Sequence, residues 1–145
     1  MSRRPAAFVV LAAAVAGAAI SVYLTVSHYQ NLPLACTTSS TFDCGAVTTS
    51  SYSLLPGTGI PVSLLGIGWF LVSGALAWLA LRRRGRWPGA WLPVAWGLAG
   101  TVFVLYLVYA ELVVIHRICE WCTAVHLLVV ASLLASLTRL TAEPG

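Results

Sequence analysis

The sequence predicts an all-α integral membrane protein: a four-transmembrane-helix bundle with a long extracytoplasmic loop between helices 1 and 2. Three observations predict it. Apolar residues make up 59% of the 145 residues and charged residues 8%, against roughly 45–50% and 25% in ordinary globular chains. Four apolar stretches each approach the ~20 residues a helix needs to cross a bilayer. A membrane barrel would instead show alternating strands of ~10 residues, and the sequence has none. The length fits a single membrane domain, residues 1–145.

Charge supplies the orientation. The net charge is +4, carried by eight arginines and no lysine. Arg3, Arg4, Arg82, Arg83, Arg84, Arg86 and Arg139 fall at ends that four crossings put on one side. The positive-inside rule makes that side cytoplasmic, with both termini, in a cell membrane. Arg117 is the exception. This topology accounts for the 82–86 loop, so the basic balance does not imply nucleic acid.

The first helix is expected over residues 6–27. Some 22 residues at ~1.5 Å each reach ~33 Å, enough to span. A cleaved leader is the alternative, given Arg3-Arg4 and the small residues at Ala16-Gly17-Ala18, but the apolar run continues through Val26. Residues 28–60 form the one long polar segment, the cysteine loop. It holds Cys36, Cys44 and Ser50, with a short helix expected within 46–55, and closes on the turn cluster 56–61. Loops of this length are usually functional.

Pro61 is suited to the first position of helix 2, expected over 61–81. Gly66, Gly68, Ser63 and Ser73 permit close helix contact there. Helix 3 is expected over 91–115, with Trp87 and Trp91 as an aromatic belt at its cytoplasmic end. Glu111 lies near its outer end. An ionisable residue in a span is a functional candidate, and snorkelling to the interface is the structural alternative. A short connection near His116-Arg117 leads to helix 4, expected over 118–138.

Helix 4 opens with Cys119-Glu120-Trp121-Cys122. In a helix, Cys119 and Cys122 share a face, with His126 one turn further on. Unpaired N–H groups and the helix dipole favour a thiolate at such an end. With the arginines inside, all four cysteines face the compartment where disulfides persist. Cys36 and Cys44 then form a pair on a mobile loop, and Cys119 and Cys122 a pair on a rigid platform. That is the equipment of a disulfide relay, in which a thiolate must reach a disulfide sulfur. A lipid quinone suits as final acceptor because it dissolves in the bilayer, and His126 and Ser50 would line its site. No haem-attachment, flavin or iron–sulfur signature is present. Two alternatives stand beside the relay. The disulfides would be structural in a non-enzymatic membrane scaffold, although a Cys-X-X-Cys loop removes little unfolded-state entropy. Or four thiolates would bind zinc, against which the oxidising exterior and the wide Cys36–Cys44 spacing argue.

These residues give the chain its resemblance to a known family. It resembles the vitamin K epoxide reductase family, in its bacterial single-domain form without a fused thioredoxin domain. The likeness rests on Cys36/Cys44, Ser50, Gly59-Ile60-Pro61-Val62, Tyr106, Glu111 and the 119–122 motif, and covers about residues 6–139. It implies a four-helix bundle around a quinone (menaquinone or ubiquinone), with no metal and no flavin. It implies disulfide formation by oxidation of a separate DsbA-like, thioredoxin-fold partner. By position, Cys36 would take electrons from the partner and Cys44 would pass them to Cys119. Cys122 would sit against the quinone ring, and Ser50 would hydrogen-bond a quinone oxygen. Animal members carry tyrosine four residues after the motif's second cysteine, where this chain has His126. A reductase acting on vitamin K quinone or epoxide is the alternative within the family. DsbB-type oxidases carry Cys-X-X-Cys in the first outer loop and the wider pair in the second, the reverse of the order here.

Overall fold

The computed structural model describes residues 3–83 and 89–142. Helix α1 (Arg3–Gln30) is followed by a loop containing the short α2 (Cys44–Thr48) and a 3-10 turn, Ser51–Ser53. Then come α3 (Val62–Arg82), α4 (Leu92–Tyr109), which continues through a wider π-type stretch (Ala110–Ile115), and α5 (Glu120–Thr141). The four long helices are apolar and long enough to cross a membrane. The only extended pairings among the described residues are two isolated bridges, Phe42 with Ile118 and Leu54 with Pro61.

The helix ends have local causes. Asn31 adopts a left-handed φ of 51°, and the N–H of Leu32 bonds the Ser27 carbonyl at 3.0 Å. This is the hydrogen bond that closes a Schellman cap, and Pro33 bars further helix. Pro61 caps α3 from outside rather than opening it. The helix expected within 46–55 instead starts at Cys44, where the Asp43 carboxylate accepts the Ala46 N–H at 3.0 Å, and ends at Thr48, before the 3-10 turn. Trp91 stands exposed at the start of α4; Trp87, Arg84, Gly85 and Arg86 lie outside the described residues.

Packing is inside-out relative to a water-soluble bundle. Many buried positions are small: Ala6, Ala13, Ala14, Ser21, Ser73, Ala77, Ala80, Ser132 and Ala135. Large residues such as Phe8, Leu71, Leu105 and Leu127 face outward. With no hydrophobic drive between helices in lipid, close backbone approach and van der Waals contact hold the spans together. Gly17 shows this, since a Cβ there would overlap the Phe70 ring. A Cβ on Gly66 would meet the Ser21 hydroxyl at 2.9 Å, whereas Gly68 faces open space and makes no close helix contact.

Helix α1 packs along both α3 and α5, and α4 packs on α5, whereas α3 and α4 touch sparingly. Their main tie is a tryptophan pair. The Trp69 and Trp96 rings stack with centroids 6.2 Å apart. The Trp96 indole N–H donates to the Trp69 carbonyl at 3.2 Å and to the Ser73 hydroxyl at 3.1 Å. Trp69 fits because Gly100 faces it; a Cβ there would lie 2.6 Å from the ring. The splay between α3 and α4 leaves a cavity of about 650 Å³ in the half of the bundle nearest the cysteines.

Candidate functional site

Cys119 sits at the N-cap of α5. Its sulfur accepts the Cys122 N–H at 3.2 Å, as a capping oxygen would. It is fully buried. A hydrogen bond from the Cys122 side chain holds the Cys119 thiol below its ordinary value of 9.0, helped by the Cys122 backbone N–H; burial and the Glu111 carboxylate pull the other way.

The cysteine loop is less free than a mobile tether. Cys36 and Cys44 are joined in a disulfide, with Cα atoms 6.2 Å apart. Cys44 opens α2 and is 1% exposed. The backbone beside it is clamped to the approach to α5: the Asp43 N–H bonds the Ile118 carbonyl at 3.1 Å, and the Ile118 N–H bonds the Thr41 carbonyl at 2.9 Å. Cys44, Val47 and Cys119 form one buried cluster, with Cys36, Trp121 and Cys122 packed against it. Around half-buried Cys36, the Trp121 indole N–H donates to the Ala35 carbonyl at 2.8 Å. The Tyr23 hydroxyl accepts the Ala35 N–H at 3.0 Å. Cys119 and Cys122 are free thiols.

The arrangement therefore brings both pairs to one end of the bundle. Cys122, Ser50 and His126 all line the large cavity. His126 is buried, and the Ser50 hydroxyl donates to the Val47 carbonyl at 2.7 Å. Glu111 does not snorkel. It is 5% exposed, and its carboxylate accepts the Cys119 N–H at 3.4 Å. The wider turn 110–115 ends on His116 at φ 57°, so the link into α5 spans residues 116–119.

Sequence reasoning missed the opposite wall. Ser21, Ser63 and His28 also line the cavity, and the Thr25 hydroxyl, beside them, bonds Ser63 at 2.9 Å. The signal was legible, since Ser21, Thr25 and His28 fall at i, i+4 and i+7, one helix face. It also missed Asp43, a capping residue immediately before Cys44, and three residues that pin the loop: Trp121, Tyr23 and Glu120, whose carboxylate accepts the Thr37 N–H at 3.5 Å. Among the described residues no three His, Cys, Asp or Glu side chains converge as a metal site.

Chemically, the site combines a loop disulfide in contact with a helix-end dithiol, and an apolar chamber against that dithiol. The vitamin K epoxide reductase family matches residues 8–137. This multi-pass chain, with its thiol chemistry gathered at one end of four spans, belongs to that family of membrane redox enzymes.

Proposed function

We propose that the protein is a quinone-dependent thiol–disulfide oxidoreductase that drives disulfide formation outside the cytoplasm. A thioredoxin-fold partner reduces the Cys36–Cys44 disulfide through Cys36. Cys44 then attacks Cys119 of an oxidised 119–122 pair, expelling Cys122. Cys36 attacks Cys44 in turn, restoring the loop disulfide and releasing Cys119. The reduced pair finally passes two electrons and two protons to a membrane quinone beside Cys122, giving its disulfide and a quinol. Each exchange conserves thiols and disulfides.

The observation that carries this reading is the buried packing of Cys44 on Cys119, with Cys122 in the wall of the cavity. Cys119, its thiol held below the ordinary value, leaves more readily in the step that restores the loop disulfide. The chamber suits a flat apolar ring with an oxygen at each edge: its wall is mostly apolar, with His126 and Ser50 on α5 and the loop, and Ser21 and Ser63 on α1 and α3. The arginines at the far end, Arg82, Arg83 and Arg139, support an outer cysteine face.

The test uses purified protein in detergent, quinone absorbance as readout, and two donors: a reduced thioredoxin-fold protein and a small dithiol. Wild type should reduce quinone with both. Cys36→Ser should fail with the protein donor alone, and Cys122→Ser with both. Wild type that reduces quinone with neither donor would leave a scaffold with structural disulfides as the better reading.

A further inference from the structure

Glu111 is the only carboxylate in the cavity wall among the described residues. It ends α4 where the helix widens, a local irregularity that recurs at functional sites. Its backbone carbonyl accepts the Arg117 N–H at 3.1 Å and also the His116 N–H. Its side chain accepts the N–H of Cys119, the residue that exchanges disulfides. One residue thus holds most of the link that delivers Cys119, and its carboxylate stands between that cysteine and the chamber.

Holding the link does not require an acid. A glutamine carbonyl accepts a backbone N–H equally well. An ionisable group buried within a span is costly and calls for a reason beyond shape. What an acid adds is a site for a proton, and the proposed chemistry has protons to move.

We infer that Glu111 is a proton carrier between the Cys119–Cys122 dithiol and the acceptor in the cavity, an inference that rests on the proposed quinone reaction. The balance is as follows. Two thiols become one disulfide, losing two electrons and two protons, and a quinone gaining both becomes a quinol. Cys122 lines the chamber and delivers its proton there directly. Cys119 is fully buried, so its proton passes to the Glu111 carboxylate and from there to a quinol oxygen, returning Glu111 to its starting state. The other titratable groups in the wall are His28 on α1, Tyr52 on the 3-10 turn, and Cys122 and His126 on α5; α3 contributes none.

The experiment is a single turnover. Protein is reduced, freed of reductant and mixed with a short-chain quinone across a pH series. Exchange between the loop pair and the helix pair is followed separately, without quinone. Glu111→Gln keeps the acceptor for the Cys119 N–H and should slow the quinone step about 10²-fold, the lower range for a general acid–base group. Its exchange rate should change far less than its quinone step, and Glu111→Asp should recover the quinone step with a pH profile displaced from that of wild type. Glu111→Gln at the wild-type rate and pH profile would overturn the inference. So would an equal slowing of both steps, which is the mark of a structural role. Should the Gln variant not accumulate, an unchanged pH profile in Glu111→Asp overturns it. Wild type unable to reduce quinone removes the underlying reaction as well, and that failure is visible before any variant is made.

Discussion

At Cys119, helix capping and the proposed thiol chemistry share one sulfur atom. The sulfur closes the first turn of α5 by accepting the Cys122 N–H, and the Cys122 thiol donates to it as well. Its folded-state pKa is therefore depressed below the ordinary 9.0. The sign follows by linkage: the stability this thiolate adds to the reduced protein is present above about 9 and is lost as pH falls through the lower folded value. In reduced wild type, thiolate absorbance should develop at a pH below 9.0. Cys122→Ala removes the leading donor and should move that midpoint upward. An unmoved midpoint would assign the depression to the helix end alone. That Cys119 and Cys122 share a helix end was legible in their spacing; the capping sulfur was not, and Glu111 was legible only as an ionisable residue within a span. A reading in regular helical steps put Glu111 near the membrane surface, and the widened turn at 110–115 redirects it inward.

At the scale of elements, the long helices were legible because length and hydropathy are local properties. The loop was less so, since its conformation depends on distant partners. Nothing near Cys44 in the chain announces that Phe42 will pair with Ile118. Nor does Cys36 announce Trp121 and Tyr23, whose rings meet edge-on at 5.2 Å. The packing of α1 on α3 makes a sharper statement, because Gly17 receives the fully buried Phe70 ring. Gly17→Ala should cost roughly 1–3 kcal/mol through overpacking and lower the thermal unfolding midpoint. Adding Phe70→Leu, which vacates the space, should recover part of the loss. Equal destabilisation in the single and double variants would show that the contact does not govern this interface.

At the scale of the whole molecule, the bundle is divided across its middle. Trp69 and Trp96 line the large chamber and also a second, small cavity of about 10 Å³ beyond it, shared with Ser73, Ser132 and Ser136. The stacked indoles, tied reciprocally to each other's backbone, are the partition. On the proposed reaction, the thiols and the acceptor they serve then lie on the same side of that wall. Protons leaving the cysteines reach the acceptor without traversing the far half of the protein, and no charge crosses the bilayer. Turnover of the proposed kind is electrically silent: it neither draws on the membrane potential nor adds to it. In sealed vesicles, an imposed potassium diffusion potential of either sign should leave the rate of thiol oxidation unchanged, and a rate that followed the potential would mean that the tryptophan wall leaks.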